Sequence, residues 1–257
     1  MTFEFDPKRS AKEITEFNKE SQRVAQGLVP SWSFSAIEKF EKCRWSTYLS
    51  RVKKVKGESS EAMDRGTKIH NEAEAFIKGE TDKLIPELSK YKNLFAELRA
   101  EFNTGVMYIE EEWGYTSKWG VTGYFSPDTW LRVKLDAAVM HSETDATLYD
   151  WKSGKKFGNE MKHAQQAMLY AIAAFKRFDT LQHVTIKFVY VDHNTTPLVK
   201  TYSREKADIF VPKWEERAFK LTTATENDFY PNASPTNCQW CPHADSGNCE
   251  YSRKQNL

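Results

Sequence analysis

The apolar positions of this chain follow a helical rhythm up to about residue 104 and a strand rhythm after it. In residues 36–51 and 63–78 apolar side chains recur three or four apart, as on one face of an α-helix, and a third helix is expected at 90–102. Ser33 or Ser35 is placed to cap the first, Gly79 to end the second and Ser89 to cap the third. Short hydroxyls satisfy the free N–H groups of a first helical turn, and glycine tolerates the left-handed residue that closes a last one. Residues 8–26 are charged and helix-compatible, the expected core of an N-terminal arm over 1–30.

Beyond Gly105 the period shortens. Residues 107–113, 131–140 and 146–152 read as strands, and 118–129, with Gly120, Gly123 and Pro127, as a hairpin or loop. Residues 160–177 return to helical spacing, with Met161, Ala164, Met168, Ile172 and Phe175 as an apolar stripe. Val184, Ile186, Phe188 and Tyr190 then alternate within a strand over 184–192, and a strand at 198–203 and a helix at 204–221 follow. The remainder, rich in Asn, Pro and Cys, is loop-like. This order specifies an α/β fold, a mixed central β-sheet flanked by helices, with a helical N-terminal part and a Cys-rich C-terminal segment.

Composition narrows the class. With 257 residues, 40% hydrophobic and 28% charged, the chain can bury a substantial core. The balance of 37 basic and 36 acidic residues excludes a histone-like polycation but leaves room for local phosphate-binding patches. Arg51, Lys53, Lys54 and Lys56 form one candidate patch, and Lys152, Lys155, Lys156 and Lys162 another. No apolar stretch reaches membrane-spanning length and the start, MTFEFDPKRS, has no hydrophobic signal region, so a cytoplasmic protein with reduced cysteines is expected.

Candidate chemistry centres on Asp136 and on Asp150-Trp151-Lys152. Residues two apart on a strand share a face, so Asp150 and Lys152 project together, and Asp136 meets them if 131–140 is the neighbouring strand. Two carboxylates and an ammonium at a sheet edge suit a divalent cation that handles phosphodiesters. A lone D-x-K is more often a solvated face; the rest of the chain changes that. His70, in Gly66-Thr67-Lys68-Ile69-His70 on the second helix, supplies an imidazole, a common metal ligand. Gln166 and Tyr170, four apart on the helix at 160–177, present an amide and a phenol on one face. Trp113, Trp119, Trp130 and Trp151 are read mostly as core rather than as stacking surfaces, and Asp192-His193 as a turn.

Gly-x-x-x-His, an Asp on a strand, Asp-x-Lys on the next and Gln-x-x-x-Tyr on the following helix, in this order, resemble the RecB-like branch of the PD-(D/E)xK nuclease superfamily over about residues 33–249. The resemblance implies a restriction-endonuclease-like core and a single nuclease domain at 31–257, divided into a helical part at 31–104, a catalytic α/β core at 105–221 and a metal-cluster segment at 222–257. It implies Mg²⁺ or Mn²⁺ held by His70, Asp136, Asp150 and the Trp151 backbone carbonyl. Lys152 would orient the attacking water, and Gln166 and Tyr170 would contact DNA or support Lys152. Lys155, Lys156, Arg51 and Lys53 become DNA-binding candidates. Two positions depart from the pattern: Val133 stands where the family often has Gly, and Leu135 precedes Asp136 in place of Pro.

Cys238-x-x-Cys241, Cys249 and the distant Cys43 can together hold a [4Fe–4S] cluster or a tetrahedral Zn²⁺, and His243 could replace Cys43 in a Cys₃His zinc site. One cysteine near the start and three near the end resemble the iron–sulfur branch of the family, including the CRISPR-associated RecB-like exonucleases and the AddB nuclease domain, which favours iron–sulfur. Trp45 and Trp240 are expected to pack around that centre. The function implied is a metal-dependent DNA exonuclease for single-stranded DNA or DNA ends, in replication, recombination or degradation, with a phage-encoded origin as one expected setting. A partner-dependent end-trimming nuclease like those of CRISPR adaptation and a non-enzymatic DNA-binding module are the alternatives.

Overall fold

The structure, a computed structural model, describes residues 27–57, 61–154, 156–192 and 196–253. Six strands form one sheet: β1 (Met107–Tyr115), β2 (Val121–Thr122), β3 (Leu131–Met140), β4 (Asp145–Lys152), β5 (His183–Tyr190) and β6 (Leu198–Ser203), in the spatial order β2-β1-β3-β4-β5-β6. Only β4 and β5 run parallel, and the helix between them, Glu160–Arg177, provides the long crossover that a parallel pair requires. The other pairs are antiparallel, so the sheet is mixed, as the sequence pattern implies.

We number the helices α1 (Phe34–Lys42), α2 (Arg44–Thr47), α3 (Glu61–Ile77), α4 (Lys92–Asn103), α5 (Glu160–Arg177), α6 (Arg204–Asp208), α7 (Val211–Thr222), α8 (Pro235–Cys238) and α9 (Pro242–Asp245). They cover the sheet on both sides. Ile69, Ala73, Phe76 and Ile77 of α3 and Phe95 and Leu98 of α4 pack with Ala137, Val139, Tyr149, Trp151 and Val189. On the opposite face, α1, α5 and α7 pack with Val133, Leu135, Leu148, Ile186 and Phe188. The tryptophans at 113, 119, 130 and 151 are all buried, so the core reading of them holds.

One irregularity lies beside the candidate site. The β1–β3 ladder pairs Ile109 with Ala137 and resumes at Glu111 with Leu135. Between those pairs Glu110 adopts φ 52°, a left-handed conformation that costs a non-glycine residue on the order of 1–3 kcal/mol. Side-chain alternation slips at this step. Met107 and Ala137 face the α3–α4 layer, whereas Trp113 and Leu135, of the same parity, face the α5 layer.

Several elements differ from the sequence expectation. The helix expected over 36–51 breaks at Cys43, whose backbone is extended (φ −158°, ψ 108°). The Asn232 and Asn237 amides donate to the Lys42 carbonyl at 3.1 and 3.2 Å, so distant residues take over the acceptor that the broken helix leaves free. A π-helical turn, Tyr48–Val52, follows α2. The helix expected over 204–221 splits into α6 and α7, with Pro212 in the first turn of α7, where its missing N–H costs least. Ser89 caps nothing: it lies inside a 3₁₀ turn, Pro86–Tyr91, and donates to the Pro86 carbonyl. Met161 is 76% exposed, so the buried stripe of α5 begins at His163 instead, and Trp240 is 77% exposed. The arm at 8–26, together with Lys155 and His193, lies outside the described residues.

Candidate active site and cysteine cavity

Register explains how the acidic residues meet. The β3–β4 ladder pairs Ala137 with Tyr149, and one step further along the same register sets Asp136 opposite Asp150. Asp136 then accepts the Trp151 backbone N–H through Oδ2 at 2.6 Å. Its Oδ1 lies 3.0 Å from His70 Nδ1, which α3 brings in from the opposite layer. Gly66, one turn earlier on α3, packs close to the end of β4: a Cβ there would come 3.2 Å from Ser153 Oγ, a tight contact that the serine side chain would have to ease.

On the other side of Asp150 stands a polar chain. Lys152 Nζ lies 2.8 Å from Asp150 Oδ1 and donates to Gln166 Oε1 at 3.0 Å. Gln166 Nε2 donates to Tyr170 Oη at 2.8 Å, and Tyr170 Oη donates to Asp150 Oδ2 at 3.0 Å. Lys152 Nζ also sits 5.0 Å above the Phe188 ring. His163 makes part of the floor, stacked on Phe188 with Nδ1 2.7 Å from Tyr190 Oη. Burial, helped by the Lys152 charge, pushes the His163 pKa down to about 4, so this imidazole is neutral at physiological pH.

Negative charge is in excess here. Burial and the Asp150 charge push the Asp136 pKa up to about 6, against the opposing pull of His70 and the Trp151 N–H. Burial works to lower the His70 pKa, but the Asp136 carboxylate, with Asp150 and Glu110 behind it, outweighs burial and raises it. Asp150 is buried too, with the Lys152 ammonium as the cation that faces both of its oxygens. Two buried carboxylates side by side, one of them resisting ionisation, fit a divalent cation.

The structure adds a residue that sequence reasoning missed. Ligand atoms of His70, Glu110 and Asp136 lie within 4.8 Å of one another. Glu110 is the first of three consecutive glutamates on β1, and nothing in the run Glu110-Glu111-Glu112 singles it out. Its distinction is the left-handed backbone, which no local pattern announces. Glu110 also pairs with Lys134 Nζ at 2.8 Å. Glu74, one turn beyond His70, pairs with Lys78.

The proposed DNA-contacting residues do not form one patch. Lys156 donates to the Thr196 carbonyl at 2.8 Å and lies over the Tyr190 ring, close to the Asp150 site. Arg51 and Lys53 belong instead to the turn after α2, where Lys53 Nζ sits over the Tyr48 ring and Arg51 is close enough to depress the Lys39 pKa.

The four cysteines converge. Cys43, Cys238, Cys241 and Cys249 line one cavity with Trp45, Ser46, Asn232, Asn237, His243 and Tyr251. All four are free thiols. Burial raises the Cys249 pKa, and the other three cysteines add to the rise. Four sulfurs gathered on one cavity suit a metal centre that binds them together. Trp45 lines this cavity, as anticipated; Trp240 does not.

The model of the PD-(D/E)XK nuclease superfamily matches residues 31–116 and 103–246. The chain belongs to this superfamily. PD-(D/E)XK nucleases use divalent metals, and in this chain Asp136, Asp150 and Lys152 stand on β3 and β4, the two central strands of the sheet rather than its edge. Among solved structures, a protein from Eubacterium rectale described as a candidate exonuclease aligns over 98% of this chain and 97% of its own, at 9% identity and a TM-score of 0.50. At that identity the likeness is one of fold. A second structure, of a protein called SSO0001, covers 93% of this chain and 97% of its own at 14% identity and a TM-score of 0.42. No curated protein matches the chain. Among the described residues, no helix is long and apolar enough to cross a membrane.

Proposed function

We propose that this PD-(D/E)XK nuclease is a metal-dependent DNA exonuclease acting on single-stranded DNA or DNA ends. The convergence of Asp136, Asp150 and Lys152, two buried carboxylates side by side of which one resists ionisation, carries the reading. His70, Asp136, Asp150 and the Trp151 carbonyl would hold the cation, with Glu110 as a further carboxylate. Bound Mg²⁺ or Mn²⁺ supplies Lewis acidity and charge neutralisation for phosphodiester hydrolysis.

The chain's own groups do the rest. Lys152, fixed between Asp150 and Gln166, orients a water for in-line attack and balances charge that grows on the phosphate. Gln166 and Tyr170 hold Lys152 and Asp150 in register from α5. Neutral His163 keeps a second cation away from Lys152. Lys156, over the Tyr190 ring just past the end of β4, would receive the DNA backbone, and Lys155 is proposed to do so with it. The products carry 5′-phosphate and 3′-hydroxyl ends. Cys43, Cys238, Cys241 and Cys249 would hold a [4Fe–4S] cluster that ties the start of the fold to its end.

End-labelled single- and double-stranded DNA, incubated with Mg²⁺ or Mn²⁺, tests this directly. Metal-dependent shortening by the natural protein, absent in Asp136→Ala and Lys152→Ala, is the expected result. Absence of cleavage by anaerobically purified protein would overturn the stand-alone exonuclease.

A further inference from the structure

Three buried side-chain nitrogens on the wall of the cysteine cavity lack hydrogen-bond partners: Trp45 Nε1, His243 Nδ1 and His243 Nε2. His243 is fully buried. The Ser46 backbone is near it but makes no hydrogen bond of good geometry. A buried donor without an acceptor costs on the order of 1–3 kcal/mol, so two such residues on one small cavity imply that its occupant provides acceptors.

The nature of the acceptor follows from the lining. The polar groups already turned inward address sulfur: the Asn232 backbone N–H donates to Cys43 Sγ at 3.5 Å, and Ser46 Oγ lies 3.6 Å from Cys241 Sγ. Lys39 places a cation near Cys241 and Cys43. Four thiolates satisfy the four irons of a cubane cluster, so no iron is left over for a fifth protein ligand. Trp45 can only donate, because an indole has no acceptor.

We propose that Trp45 and His243 donate N–H hydrogen bonds to the sulfur atoms of the group held by Cys43, Cys238, Cys241 and Cys249. This rests on the iron–sulfur reading given above. Donors to sulfur stabilise the more negative, reduced state, so the pair sets the centre's reduction potential upward.

The test uses the full-length chain purified anaerobically, with iron and sulfide assayed and the midpoint potential followed by visible absorption and electron paramagnetic resonance. Trp45→Phe and His243→Leu are expected to keep natural iron content while the midpoint moves to more negative values. His243→Gln, which retains a donor, should stay nearer the natural value. An unchanged midpoint in both Trp45→Phe and His243→Leu overturns the proposal. Loss of iron from a His243→Leu protein whose circular dichroism is intact also overturns it, by making His243 a ligand. If His243→Leu does not fold, Trp45→Phe decides alone. Natural protein without iron and sulfide sinks the iron–sulfur reading itself, and the donor role with it; natural iron with unmoved variants sinks only the donor role.

Discussion

Asp136 accepts the backbone N–H of Trp151 at 2.6 Å, so the first acidic residue of the site is fastened to the strand that carries the second. The fastening comes with a buried charge. Asp136 is 7% exposed, and its pKa of about 6 in the fold stands above the ordinary aspartate value of 3.8. A raised carboxyl pKa contributes stability that is fully present below about pH 4 and lost as pH rises through about 6. His70, raised likewise, acts in the same direction. Metal-free Asp136→Asn should therefore be more stable than the natural protein at pH 8, by on the order of 3 kcal/mol, with the gap closing toward pH 4. Urea titrations at several pH values check this, and equal stability at pH 8 would show that the charge is not penalised.

Divalent metal should reverse that penalty. At a hundred times its dissociation constant, a cation that binds only the folded state stabilises by about 2.7 kcal/mol. Mg²⁺ or Mn²⁺ should raise the melting temperature of the natural protein, and EDTA should return it to the baseline. Asp136→Ala and Asp150→Ala should show no such shift. Glu110→Gln should weaken Mn²⁺ binding by about 10–100-fold, the range found when groups supporting a metal are removed. Calorimetric titration with Mn²⁺ reads both effects, and unaltered affinity in Glu110→Gln would remove that residue from the site.

Lys152→Ala should lower cleavage by about 10²–10³-fold, the loss typical of one preorganised charge at a reacting centre. DNA binding at low Mg²⁺ should persist, because the phosphate contacts lie elsewhere. Gln166→Ala and Tyr170→Phe each remove hydrogen bonds that position Lys152 or Asp150, so each should cost roughly tenfold in kcat. An unchanged kcat with a raised KM in either would place that side chain on the DNA instead.

Cys43→Ser should uncouple the two ends of the domain. Cys43 is separated from Cys238 by most of the folded chain, and closing so long a loop stabilises by about 5 kcal/mol in the chain-entropy model of a crosslink. The variant should melt earlier and be nicked by protease within residues 229–253 while the sheet survives. A natural melting profile would show that the cavity holds no crosslinking centre.

The sheet was legible because its patterns are strong. Strand β3, strand β6 and helix α5 have the bounds that alternation and helical spacing imply. The meeting of Asp136, Asp150 and Lys152 was legible too, since period-two spacing fixes which side chains share a face. What stayed hidden depends on distant partners. The break at Cys43 is held by Asn232 and Asn237, nearly two hundred residues away, and the local sequence from 36 to 51 is an unbroken helix former. Glu110 was hidden for a related reason: its role comes from a conformation that its neighbours across the ladder impose. The unpartnered nitrogens of Trp45 and His243 are visible only once four segments close around one cavity.

The left-handed backbone at Glu110 has an evolutionary reading. A glutamate held there against its steric preference carries a cost that a metal-binding carboxylate would offset. Asn and Gly adopt this conformation more readily, so either substitution should make the protein slightly more stable and a poorer nuclease. Among descendants of this fold that have given up cleavage, position 110 should relax to Gly or Asn early, and a library selected for stability alone should drift the same way.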